Sequence, residues 1–176
     1  MQYIAFLRGI NLGKRQVKMG DLQKIFVDLG FTEVKTLIAT GNVIFETDEQ
    51  NEEVLRVKLE TVLEKRFAFS IPVILRTKRE IEKLLELNPF KEIATPSARN
   101  DGSKVRLQVT LFGHMINGRV PIKQNGFEIV YIGKRDIASI VYPDGKTTEL
   151  MTYVDKIFGK NSTTRNWNTI QKLIGD

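Results

Sequence analysis

Tyr3-Ile4-Ala5-Phe6-Leu7-Arg8-Gly9-Ile10-Asn11-Leu12-Gly13-Lys14 opens the chain as a short apolar run that breaks at once into a loop of glycine, asparagine and cations. Tyr3 to Leu7 is too short and too continuous for an amphipathic helix, which predicts a central strand buried on both faces. The loop has an echo in Ala39-Thr40-Gly41-Asn42, which also follows a strand-like run and also puts glycine beside an amide side chain where the backbone must turn. Between Arg8 and Lys18 stand four cations (Arg8, Lys14, Arg15, Lys18) and no carboxylate. A binding site, if there is one, is expected here.

Outward from this stretch the periodicity is regular. Leu22, Ile25, Phe26 and Leu29 recur at helical spacing, and Gly30 supplies a left-handed stop. Val34–Ala39 and Val43–Thr47 read as two strands joined at Thr40-Gly41-Asn42. Residues 52–66 form a second helix with acids at its start and Lys65-Arg66 at its end, as the helix dipole favours. Pro72–Arg76 reads as a fourth strand, with Pro72 suiting a strand start or an edge. The order β-α-β-β-α-β predicts a ferredoxin-like split βαβ subdomain over residues 1–77, with strand order 4-1-3-2.

Residues 78–176 are expected to form a second, smaller antiparallel α+β subdomain. Thr77-Lys78-Arg79-Glu80 fits a capping box that starts a short helix, and residues 91–103 read as a polar loop. Val105, Leu107, Val109 and Leu111 alternate with Lys104, Arg106, Gln108 and Thr110, the pattern of a half-buried strand. Two further strands, Phe127–Ile132 and Ile137–Tyr142, are followed by a turn at Tyr142-Pro143-Asp144-Gly145. A helix over 148–158 is expected to turn Leu150, Met151, Val154, Ile157 and Phe158 inward. A last helix is expected from about Thr163, with Trp167, Ile170 and Ile174 on one face and Arg165, Thr169 and Lys172 on the other. An arginine in a helix's first turn opposes the dipole, so Arg165 would be better placed against an anion.

Composition narrows the function. The 176 residues contain no cysteine, which excludes disulfides, thiol catalysis and cysteine–zinc sites and fits a reducing cytoplasm, the expected location. The single histidine, His114, reads as a loop residue rather than a general base, and no metal site is expected. No apolar run approaches the ~18 residues of a membrane span, and the N-terminus lacks the pattern of a signal peptide. The net charge of +6 is concentrated in residues 78–176, where 16 cations face 11 anions, and a basic balance favours anionic partners.

Arg8-Gly9-Ile10-Asn11, Thr40-Gly41-Asn42-Val43-Ile44-Phe45, Asn88-Pro89-Phe90 and Arg165-Asn166-Trp167-Asn168-Thr169, in this order, resemble the domain of unknown function 1697 family over nearly the whole chain. Thr40 stands where serine is expected and keeps the hydroxyl. The resemblance implies an α+β protein of two small subdomains, the first ferredoxin-like, and implies no activity.

The chemistry is that of holding rather than breaking. Gly9 and Gly13 are four apart and Arg15 follows Lys14, so the Walker pattern for nucleoside triphosphates is not met. Tyr3, Phe6 and Phe45 lie in strands where RNA-recognition sheets stack bases, but the paired aromatics of that consensus are missing, and these rings read as core. No carboxylate pair shares a face with a reactive group, so the residues name no catalytic group and no cofactor. The expected ligand set is Arg8, Asn11, Thr40, Asn42 and Arg165, converging on one electropositive surface for a carboxylate or phosphate. In the opposing reading, Asn11 and Asn42 serve only their own turns and Arg8 pairs with a nearby carboxylate. The function that follows is a binding protein for an anionic ligand, either nucleic acid or a nucleotide. The alternatives are an enzyme acting on a small phosphorylated or carboxylated substrate, and a partner-binding or structural protein.

Overall fold

The computed structural model describes residues 1–13, 15–37, 41–91 and 105–175. Its fold is α+β. Two antiparallel sheets, of four and five strands, and five helices occur among the described residues. Backbone contacts divide the chain into Met1–Ile81 and Glu82–Asp176. Among the described residues, no helix is long and apolar enough to cross a membrane.

The first unit runs β1 (Gln2–Leu7), α1 (Met19–Asp28), β2 (Thr32–Leu37), β3 (Asn42–Glu46), α2 (Glu52–Phe67), β4 (Val73–Thr77) and the start of α3 (Lys78–Leu87). The sheet order is β4-β1-β3-β2, the split βαβ order expected from the sequence, with β1 in its interior. Tyr3, Ala5 and Leu7 of β1 face Leu22, Ile25 and Phe26 of α1 and Leu55, Leu59 and Leu63 of α2 in one apolar cluster. Tyr3 stacks on Phe45, and Phe26 meets Phe45 edge-on with ring centroids 5.2 Å apart. Ile4, Phe6, Ile44 and Ile74, which point to the other face, are buried as well. The three strand aromatics are therefore core and present no face to a base. Each contributes roughly 1.5–3 kcal/mol by its burial.

The local chemistry at the element ends is consistent with this layout. Asn51 caps α2 by accepting from the Glu53 and Val54 amides, and Ala68, left-handed at φ +61°, ends it. From the third turn of α2, Glu60 accepts the Val73 amide at 2.9 Å, tying the start of β4 to the helix. The expected capping box of α3 forms: the Glu80 amide donates to Thr77 Oγ1 at 3.2 Å, and Glu80 Oε2 accepts the Thr77 amide at 2.8 Å.

The second unit contains the sheet β6-β7-β8-β5-β9, built from β5 (Arg106–Phe112), β6 (Ile122–Gln124), β7 (Phe127–Ile132), β8 (Asp136–Val141) and β9 (Ser162–Asn166), with α4 (Thr147–Phe158) and α5 (Trp167–Lys172). Leu150 and Val154 of α4 pack on Phe112, Phe127, Ile129, Ile137 and Val141, while Ile157 is exposed rather than inward. The turn at Tyr142 closes with the Gly145 amide donating to the Tyr142 carbonyl at 3.0 Å. The polar segment expected at 91–103 lies, apart from Lys91, outside the described residues.

Two expectations are corrected here. The strand around Val109 is not half-buried: Gln108 and Thr110 are buried too. It lies between β8 and β9, and its Thr110 side shares the sheet face that α4 covers. The Thr110 hydroxyl is satisfied at 2.9 Å by that of Thr164, so an alternation of polar side chains marks a polar cross-strand pair rather than solvent. The second correction concerns the segment from Thr163, which is an edge strand rather than the start of a helix. Thr163 and Thr164 are β-branched and pair with β5, and the helix begins only at Trp167, capped by Asn166 accepting the Thr169 amide at 2.9 Å.

On β8 the Ser139 hydroxyl is buried with no hydrogen-bond partner among the described residues. Ser139→Ala removes an unsatisfied group at almost no change in volume. It should leave stability unchanged or raise it by up to about 1 kcal/mol in urea melts. A loss beyond about 1 kcal/mol would mean that the hydroxyl is satisfied in solution.

Candidate functional site

Because β1 is interior, the loop that follows it emerges between the starts of its two neighbours. The Leu7 amide donates to the Gly41 carbonyl at 2.8 Å, and the Arg8 amide donates to the Pro72 carbonyl at 2.9 Å. Gly41 is left-handed, at φ +74°, and a Cβ there would fall 2.3 Å from Ile10 Cδ1. Ile10 therefore sits directly on Gly41, and the two glycine–asparagine loops meet at one end of the first sheet. The sequence expects Arg8, Asn11 and Asn42 to converge; the antiparallel pairing of β1 with β3, with Phe6 opposite Asn42, is what brings the two loops to the same sheet end.

The loop is shaped by three left-handed residues at alternate positions, Gly9 (φ +71°), Asn11 (φ +56°) and Gly13 (φ +58°). Asparagine tolerates this region better than other side chains with a Cβ. Asn11 Oδ1 also accepts the Val17 amide at 2.8 Å, which closes the loop ahead of α1. Asn42 is buried, and its Nδ2 donates to the Leu37 carbonyl at 3.4 Å. Each amide thus makes a hydrogen bond within its own loop. Arg8 is half-buried, and Arg15 and Lys18 are exposed. Thr40 and Lys14 lie outside the described residues.

Arg165 stands in the second unit, on β9, opposite Val109 of β5. Its Nη1 donates to Thr163 Oγ1 at 2.6 Å and to the Thr164 carbonyl at 3.1 Å. Burial pulls its guanidinium down to about 10, because desolvation disfavours the charged form. The helix-dipole argument for an anion beside it does not apply, since β9 is a strand and α5 begins two residues later.

The sequence reading missed one feature. The Arg15 guanidinium carbon lies 5.3 Å from the centroid of the Phe69 ring. The Arg15 amide donates to the Leu12 carbonyl at 3.0 Å, which folds the residue back over the loop. Phe69 is half-buried, and Phe67 lies next to it with ring centroids 6.3 Å apart. The signal in the sequence is Phe67-Ala68-Phe69, two aromatics flanking the end of a helix. His114 is half-buried, and its Nε2 donates to the Phe158 carbonyl at 2.6 Å, which makes it a structural link.

These loops lie within the segment that known sequences recognise. The family profile described as "Protein of unknown function (DUF1697)" matches residues 1–114, from β1 through β5. The chain belongs to the DUF1697 family. Among solved structures, the DUF1697 fold seen here is similar to that of the conserved bacterial protein SP0830 from Streptococcus pneumoniae. The TM-score is 0.73 at 20% sequence identity, covering 99% of this chain and 98% of that one. No curated protein matches the chain. The likeness establishes the fold of this DUF1697 protein.

Proposed function

We propose that this DUF1697 protein is a binding protein for an anionic ligand, nucleic acid or a nucleotide, and that it binds at the loop end of its first sheet. The observation that carries the reading is the seating of Ile10 on Gly41, which gathers the Arg8–Lys18 loop and the Gly41 turn at one place. Arg8, Arg15 and Lys18 supply positive charge there, and the Arg8–Lys18 segment itself contains no carboxylate. Left-handed residues at alternate positions suit a loop whose backbone amides approach an anion closely. Asn11 and Asn42 shape the two loops, and the arginines meet the ligand.

Thermal melts in inorganic phosphate at low ionic strength test this reading. Phosphate at a hundred times its dissociation constant should stabilise the wild type by about 2.7 kcal/mol. Arg8→Ala should lose most of that gain, and added chloride should weaken binding steeply. Equal stabilisation of wild type and Arg8→Ala, or no stabilisation of wild type by phosphate, nucleotide or oligonucleotide, would overturn it.

A further inference from the structure

We infer that the first-unit loop recognises a nucleobase attached to the phosphate, with the base stacking on the outer face of the Arg15 guanidinium. The inference rests on the anion-binding reading above and names its ligand more closely.

A guanidinium is planar, and it can stack on an aromatic face on one side and a base on the other. Arg15 is held for this. Its Cζ is 5.3 Å from the Phe69 centroid, and its Nη1 lies 3.8 Å from the point a Gly9 Cβ would occupy. The group thus has the Phe69 ring behind it and the Gly9 turn near its Nη1, while Arg15 as a residue remains exposed. Its backbone partner Leu12 is 67% exposed. An exposed leucine beside a backed guanidinium forms an apolar edge and a flat cation, which suit the edge and face of a base. Bare phosphate uses neither. Phe69 acts through Arg15 and is a positioning residue.

The geometry also separates this stack from the strand-face stacking ruled out by the burial of Tyr3, Phe6 and Phe45. The recognised unit is a base and its phosphate at the loop tip. A free mononucleotide and a strand terminus both carry that chemistry.

The test is a binding series on the full chain with inorganic phosphate, ribose 5-phosphate, uridine and adenosine 5′-monophosphates, and short single-stranded oligonucleotides. Stacking on one base is worth roughly a fivefold to hundredfold gain in affinity, so the monophosphates should exceed ribose 5-phosphate by that factor. Arg15→Lys keeps the charge and loses the plane, and should bring the ratio close to one. Phe69→Leu should lower the ratio in part, an effect that a purely structural phenylalanine would not produce. Circular dichroism confirms that both variants are folded.

Equal affinity for ribose 5-phosphate and the monophosphates would overturn the inference and leave anion binding standing. A ratio unchanged in Arg15→Lys would overturn the role of Arg15. Failure of every ligand to bind would overturn the anion-binding reading and this inference together. Mononucleotide binding tighter than oligonucleotide binding would identify a metabolite as the source of the base, and the reverse a nucleic-acid strand; either supports the inference.

Discussion

Trp167→Ala should destabilise the protein by roughly 3–5 kcal/mol, the range for truncating a buried aromatic side chain. Trp167 is the first residue of α5 and is 7% exposed. Its ring meets Phe90 edge-on, with centroids 5.3 Å apart and planes at 69°. Ile170 and Leu173, three and six residues on, are buried with it. A helix of six residues is far below the length at which helices hold themselves in water, so α5 persists only through this packed face. Truncating the ring leaves a cavity against Phe90 and frees the turn that follows β9. Urea unfolding followed by circular dichroism measures the loss, and Trp167→Phe should recover part of it. A cost below about 1 kcal/mol would show α5 to be a loosely attached tail.

Glu80→Ala should cost about 3 kcal/mol. Glu80 Oε1 accepts from Arg76 Nη1 at 3.2 Å, and Oε2 accepts from the Thr77 amide and hydroxyl at 2.8 and 3.0 Å. Arg76 is only 2% exposed, so removing Glu80 takes a carboxylate from a guanidinium that water cannot reach. Breaking a buried ion pair from one side costs about 3–5 kcal/mol. The lost capping box adds about 1 kcal/mol. The other interactions of Arg76 and the partial exposure of Glu80 bring the expectation to the lower end. Glu80→Gln keeps the reach to the Thr77 amide and should cost about half as much. Urea melts of the two variants at low and high salt make the comparison. A Glu80→Ala loss under about 1 kcal/mol would mean that the Arg76 charge is balanced elsewhere.

The sequence shows Glu80 only as part of the capping box with Thr77 and gives no sign of its pairing with Arg76. The box is a local pattern, legible from two residues three apart. In the sequence Arg76 is only the last residue of the fourth strand. It is buried opposite Ile4, which is buried too, and no local pattern records this.

The same division holds across the molecule. The sequence by itself determined the β-α-β-β-α-β order, the extent of α2 to within a residue, the strand order β4-β1-β3-β2 and the meeting of the Arg8 and Gly41 loops. These follow from period, turn chemistry and the connection rules of a split βαβ sheet, which act over neighbouring elements. Only the tertiary structure decided that Gln108 and Thr110 are buried, because their environment is set by β9 and α4, dozens of residues away. It also decided that Thr163–Asn166 is a strand: the segment carries helical spacing toward Trp167 and β-branched side chains at once, and pairing with β5 settles the contest. Arg15 on Phe69 belongs to the same class, since the cation–ring contact joins residues 54 positions apart through packing that neither local sequence contains.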